Sequence, residues 1–594
     1  MRKQTKLVAV LSATALLAIG ASMTSFAAQG WQEEGGTWVY YNKDGSMATD
    51  QWKKSGNNWY WLDSDGTMAT DQIIEDDDDY YFVDANGVMV TNQWVQVDND
   101  DDADEDAPSN WWYYFQGNGK AYTANDSGTT SLKTINGKKY AFTDEGHMLF
   151  GWVDEDSTRQ TDDSAWQDAV YYMGDEDDGS AAIGWAQIHV IDDDLSWDEN
   201  DEESEDQDYW FYFQSNGKKI AADAGKDLKT KTINGKKYGF DSHGRMTFEW
   251  TEVSTYNTSG TSSTASAAGH YSYFSDRDNG ARVSKGWFKT VPSKYVDSKD
   301  NDDDEERWYY AYSVGKLCYS EFKTINSKRY CFDNSGQMLS DLQAVYTDSY
   351  GRVWNAKLDD EDKIKDGTEL RDGGTSFALT LIGADAAERT LATVGDDTSS
   401  LDIATAIGYA NDNAVDADGM GGTKKPTFGV FYFGDGNDGA LRTSTQTINI
   451  EGETYTFYFK KDGDRKGEGV NGLKDNYLYQ NGKRVKADKD NKYEAYYIAK
   501  NDHDPAAAGV DAAAIFKNHV YRVEVEDLTS FDSSKALNDR LYLVNTSGSI
   551  SKGNKEAKDG NDMYFQVVSG KVTAYYEKDG STKVNITNVG SDVD

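Results

Sequence analysis

Apolar and polar residues alternate in short bursts along much of this chain, and the bursts recur at a fixed spacing. Trp38-Val39-Tyr40-Tyr41 and Trp59-Tyr60-Trp61-Leu62 are β-favouring runs, each followed by a turn, Asn42-Lys43-Asp44-Gly45 or Asp63-Ser64-Asp65-Gly66. Glycine at the end of each turn supplies the positive φ that a tight reversal needs. A short second strand, Ser46-Met47-Ala48-Thr49, is expected to close the hairpin. Period-two alternation sets Trp38 and Tyr40 on one face and Val39 and Tyr41 on the other. Both faces are apolar, so one hairpin cannot bury itself and must stack on its neighbours.

The spacing makes the stack a repeat. Trp31, Trp52, Ile73 and Trp94 follow one another at 21 residues, as do Trp38, Trp59 and Tyr80, then Gly45, Gly66 and Gly87, then Met47, Met68 and Met89. Beyond Trp94 the unit lengthens. Thr134-Ile135-Asn136-Gly137-Lys138-Lys139-Tyr140 returns at Thr232–Tyr238 and, altered, at Thr324–Tyr330, with a period of 92 to 98 residues. Aromatic strands precede each copy, at Trp111–Phe115, Tyr209–Phe213 and Trp308–Tyr310. The fold class expected is all-β: a solenoid of stacked β-hairpin repeats, then a degenerate β-rich C-terminal region. Short repeats occupy residues 28–96, long repeats with acidic insertions 97–342, and degenerate repeats or a separate β-rich domain 343–594. Alanine-rich stretches at 404–410 and 506–514 suggest single helices.

Composition supports stacking over a conventional enzyme core. Only 38% of residues are apolar, while Tyr 39, Phe 22 and Trp 17 are high counts, so rings supply the burial. Four prolines and 55 glycines suit tight turns between strands that keep every backbone donor. Net charge is −43, which argues against nucleic acid as a partner and against bulk attraction to anionic polymers. Acidic runs at 98–106, 192–208 and 300–306 read as solvated insertions, because like charges resist burial. Calcium is the sharper alternative, but no segment carries a full EF-hand pattern, so no metal is assigned.

The compartment follows from the first residues. Arg2, Lys3 and Lys6 lead an apolar run, Leu7 to Ile19, and an A-x-A-like site at Ser25-Phe26-Ala27-Ala28. Residues 1–27 are expected to be a secretory signal peptide. No later stretch reaches transmembrane length, and the last residues carry neither an apolar tail nor a basic anchor. Non-covalent attachment to the cell surface is the expectation. Two cysteines, Cys318 and Cys331, lie in strand-like segments of one repeat, and a disulfide or two buried thiols fit equally.

Trp52-Lys53-Lys54-Ser55-Gly56-Asn57-Asn58-Trp59-Tyr60-Trp61-Leu62, ending at Gly66-Thr67-Met68-Ala69-Thr70, resembles the choline-binding or cell-wall-binding repeat family. The Asn136-Gly137-Lys138-Lys139-Tyr140 form is similar to longer units of glucan-binding proteins and clostridial toxin receptor-binding regions. The resemblance covers residues 31 to 342 and implies a ligand site between successive hairpins. It would use the leading Trp, the Trp seven residues on, and the leading aromatic of the next unit: Trp31, Trp38 and Trp52. Electron-rich ring faces suit a quaternary ammonium, which has no hydrogen bond to donate. They also suit the C–H face of a sugar. Ile73 interrupts the second and third sets, and Gln51 and Gln93 replace the glycine that Gly30 keeps before Trp31. Past Trp94 the seven-residue spacing is lost to the insertions, so no site is expected there.

Catalytic signatures are missing from the sequence: the six histidines are scattered, with no H-E-x-x-H and no G-x-S-x-G. The expected role is a non-catalytic exported surface protein, without cofactor, that binds cell-wall teichoic acid or glycan. A secreted adhesin for host or dietary carbohydrate, a wall hydrolase with its catalytic part after residue 342, and an inert spacer are the competing readings.

Overall fold

The computed structural model describes residues 29–99, 107–124, 128–192, 206–226, 228–253, 268–333, 335–347, 353–357, 377–382, 388–394, 427–450, 452–500, 518, 520–523, 540–579 and 583–585. The leader, both alanine-rich stretches and most of the first two acidic insertions lie outside the described residues. Two compact units form: residues 1–224 with 240–246, and residues 225–239 with 247–594. Among the described residues no helix is long and apolar enough to cross a membrane.

The fold is all-β, built in its repeat region mostly from two-stranded antiparallel hairpins, with a three-stranded sheet of Arg159–Gln160, Trp152–Val153 and Tyr171–Tyr172. The hairpin partner differs from the sequence expectation. Thr37–Tyr41 pairs with the strand before it, Gly30–Glu34, and Asn58–Leu62 pairs with Gln51–Ser55. Gly35 and Gly36, at φ 61° and 90°, make the tight turn between the first two strands. Ser46–Thr49 contributes only a bridge, Met47 to Tyr41. The Asn42–Gly45 turn does form, closed by Gly45 N–H on Asn42 O at 3.0 Å.

After that turn the chain crosses to a neighbouring hairpin. Met68 N–H donates to Trp38 O at 2.8 Å, and Met89 N–H to Trp59 O at 2.9 Å. The methionine side chain then lies over the turn glycine of the following unit. A Cβ on Gly87 would stand 2.8 Å from Met68 Cε, and Gly87 is at φ 76°. Met47 meets Gly66, Met89 meets Gly119 and Met148 meets Gly179 in the same way. One contact therefore imposes the shared period on methionine and glycine.

Between hairpins the burial is aromatic. Val39, Tyr60, Leu62 and Val83 are buried along the first interfaces, and Trp52 and Tyr81 pack against the Trp61, Ala69, Ile74 and Val83 cluster. Such ring pairs each contribute about 0.5–1.5 kcal/mol beyond the area they bury. From Leu342 onward the sheets widen. Leu342–Thr347 enters a five-stranded antiparallel sheet with Thr427–Tyr432 and Val353–Lys357, and Glu453–Phe459 lies in a second of five strands. Sheets of three and four strands follow, centred on Tyr493–Ile498 and on Tyr564–Val568 with Lys571–Tyr576. Strand number and length vary from sheet to sheet there, and the fixed repeat length is lost.

The acidic insertions are not wholly solvated. Asp192, at the root of the second, is 1% exposed; it accepts hydrogen bonds from Arg245 Nη1 at 2.6 Å and Tyr209 OH at 2.8 Å. Asp300, in the short helix Ser298–Asp302, is also buried and takes Arg307 Nε at 2.7 Å and Gln337 Nε2 at 2.9 Å. A paired cation replaces the lost water, which makes burial tolerable for one acid in each of these two runs. Cys318 and Cys331 are both free and buried, and burial pushes both thiols up.

Candidate ligand-binding site

Trp31 and Trp38 stand on one face of their hairpin, opposite Tyr40 and Glu33 respectively. Trp31 is wedged edge-on between Tyr40, with ring centres 5.4 Å apart, and Tyr60 of the next hairpin, at 5.2 Å. Trp52 repeats the arrangement with Trp61 at 5.3 Å and Tyr81 at 5.1 Å, and its Nε1 donates to Asp76 Oδ2 at 3.1 Å. Trp52 thus makes its ring contacts at the following interface, while Trp38 stays half-buried at the edge with the exposed Glu33 carboxylate across the strand. In the second unit the corresponding ring, Trp59, is 39% exposed, and Lys54 Nζ sits 5.6 Å from its centre.

In the long units, folding restores what the sequence spacing hides. Trp94 pairs with Tyr114 and Gln96 with Trp112; Trp185 pairs with Tyr212 and Gln187 with Trp210; Trp287 pairs with Tyr310 and Lys289 with Trp308. This is the register of Trp31 with Tyr40 and Glu33 with Trp38. The inserted residues lengthen the hairpin loop and leave the two-tryptophan pair in place. Backbone links agree: Met148, Met246 and Met338 donate to the carbonyls of Trp112, Trp210 and Trp308, each at 2.8 Å. Trp185 and Trp210 meet at 6.3 Å and 86°, Trp287 and Trp308 at 6.4 Å and 86°. Each pair makes a right-angled corner of two indoles. Alignment on the second strand would have revealed them, since Trp38-Val39-Tyr40, Trp112-Tyr113-Tyr114, Trp210-Phe211-Tyr212 and Trp308-Tyr309-Tyr310 share one pattern.

Two of the described repeats put a cation, Lys219 or Arg282, where others have methionine. Lys219, which bridges to Phe213 as Met89 does to Val83, lies 5.3 Å from the Trp152 ring centre and 5.8 Å from Phe211. Its Nζ donates to Trp166 O at 2.5 Å and Gln167 O at 3.2 Å. Burial pushes its pKa down to about 8. Among the described residues, no group of three or more His, Cys, Asp or Glu is placed to hold a metal ion.

Residues 46–88 match the family model for the choline-binding repeat. These residues are choline-binding repeats. No curated protein matches the chain significantly. Among solved structures, the modular autolysin LytC of Streptococcus pneumoniae aligns over 57% of this chain and 58% of its own, at 17% identity and a TM-score of 0.28. This chain therefore spans less than two thirds of that autolysin. The choline-binding domain of CbpL from the same organism aligns over 37% of this chain and 88% of its own, at 20% identity and a TM-score of 0.22. Choline binding protein F, also from Streptococcus pneumoniae and solved with a peptidoglycan analogue, aligns over 56% and 92%, at 19% identity and a TM-score of 0.23. The choline-binding repeats stand on residues 46–88 and on the register described above.

Proposed function

We propose that this is a non-catalytic, exported surface protein that holds choline-bearing cell-wall polymer through paired tryptophans on its hairpins. The observation that carries the reading is the right-angled indole corner, formed at Trp185 with Trp210 and at Trp287 with Trp308. The two indoles meet edge to face, and a quaternary ammonium set against such rings gains from their quadrupoles without needing a hydrogen-bond acceptor. Trp31 and Trp38 share the face and the register, with Trp52 as the expected third ring. The Glu33 carboxylate beside Trp38 favours a cation there. A chain of net charge −43 gains nothing from the anionic part of such a polymer, so specificity falls to the rings.

Sugar binding is the second reading, and one feature favours it. A cavity of about 560 Å³ opens beside Trp308, lined also by Tyr432, Leu342, Gln343 and Asn449. Its size suits a small ligand, and its rings and amides suit a sugar face and hydroxyls. Tryptophan fluorescence of the full chain, titrated with choline and in parallel with soluble glucan, separates the two. Saturable quenching by choline that weakens in Trp308→Ala supports the first reading. A response to glucan alone replaces it with the second.

A further inference from the structure

The hairpin of Glu321–Ile325 and Lys328–Phe332 keeps the receptive register but changes its occupants. Phe322 stands opposite Cys331, and Thr324 opposite Arg329, so Phe322 takes the place of Trp31 and Arg329 that of Trp38. The seven-residue spacing between them is intact. The backbone link confirms the equivalence: Leu441 N–H donates to Arg329 O at 2.7 Å, as Met338 N–H does to Trp308 O. The second indole has therefore been exchanged for a guanidinium.

That guanidinium turns inward. Its carbon lies 4.5 Å from the Phe322 ring centre. Phe431 and Phe433 surround the same ring at 5.5 Å and 6.2 Å. Arg329 is half-buried, and among the described residues its guanidinium makes no ion pair, in a chain with 103 acidic side chains. Desolvating an arginine without an anion is unfavourable, and a ring face is the compensation this geometry offers. Lys139 and Lys237 hold the equivalent position in the sister hairpins, as Ala181 N–H on Lys139 O and Arg282 N–H on Lys237 O show, but Leu132 and Thr230 stand where Phe322 does. Only the third copy of this sequence motif keeps both a ring and a cation.

We propose that the Phe322 seat is filled from within: the Arg329 guanidinium takes the place an external ammonium has at a two-tryptophan corner, and closes this hairpin to such ligands. The idea rests on the reading that those corners take ammonium ligands. The register position that carries Trp112, Trp210 and Trp308 in the receptive hairpins carries a ring-bound cation, Arg329, in this one. Ligand capacity is set by the residue at one register position and not by the number of repeats.

Calorimetry with tetramethylammonium on the full chain tests this by counting sites. Arg329→Gln keeps the shape and removes the charge, Arg329→Ala empties the seat, and Arg329→Lys keeps a cation. The glutamine and alanine variants are expected to bind one more ligand per chain than the parent, and the lysine variant the same number. The extra site should vanish when Phe322→Ala is added. An unchanged count in both neutral variants, with melting and circular dichroism like the parent's, overturns the closure. A parent that binds no ligand sinks the corner reading instead; a site appearing only in the neutral variants would then still uphold the closure, and its absence would overturn both.

Discussion

The indole planes of Trp287 and Trp308 stand at 86° with their centres 6.4 Å apart, although 21 positions separate them in the chain. The first short repeat brings its pair, Trp31 and Trp38, into the same register across only seven positions. The loop has absorbed the difference. Trp308→Ala should therefore weaken choline at this corner roughly tenfold, because a desolvated ring face contributes up to about 2 kcal/mol. Trp287→Ala should cost stability as well, since that ring also packs on Tyr330 at 4.8 Å and Phe332 at 5.7 Å. Ligand titration alongside thermal melting of both variants checks the split.

Gly87 tests the stacking itself. Its φ of 76° is costly for any residue with a Cβ, and that Cβ would lie 2.8 Å from Met68 Cε and 3.0 Å from Ala69 O. Gly87→Ala should destabilise its unit by about 1–3 kcal/mol in urea unfolding of the full chain. Adding Met68→Ala should return only part of the loss, because the smaller side chain relieves the clash but not the backbone strain. Full recovery would show that the φ is not a constraint.

The repeat was legible because two local rules coincide in it: alternation within strands such as Trp38–Tyr41, and glycine at turns such as Gly66. The hairpin partner was not, because Asn42–Gly45 and Gly35-Gly36 are both good turns and sequence does not say which one pairs strands. The pair Trp210 and Trp185 escaped notice because counting forward from the leading tryptophan runs into the insertion. Buried Asp192 was hidden for another reason: its partner Arg245 lies 53 positions away.

Arg245 tests that buried pair. Its Nη1 holds Asp192 and its Nε holds Asp241, both at 2.6 Å, while its guanidinium carbon lies 5.3 Å from Trp166 and 5.2 Å from Tyr209. Arg245→Met strands a carboxylate away from water and should cost about 3–5 kcal/mol. The double variant with Asp192→Asn should be more stable than Arg245→Met alone. Chemical denaturation of the four species gives the coupling, and strict additivity would mean the two side chains do not depend on each other.

Lys219 makes a prediction about pH. Burial lowers its pKa from the ordinary 10.5 to about 8, against the opposing pull of Asp241, Asp168 and Asp154. Below pH 8 the amine is charged in both folded and unfolded chains, and the folded state bears the full penalty of holding that charge away from water. Between pH 8 and 10.5 the unfolded chain binds more protons than the folded one, so this group's contribution to stability rises with pH. Above 10.5 it is neutral in both states and the penalty is gone. Lys219→Met restores the residue found at this position in Met89 and Met148, and should remove the rise while raising stability at neutral pH. The difference in unfolding free energy between parent and variant, measured from pH 7 to 10.5, isolates the effect from every other titrating group. A difference that does not change across that window would mean that the lysine keeps its ordinary pKa, held charged by the Trp166 and Gln167 carbonyls and the two rings it covers.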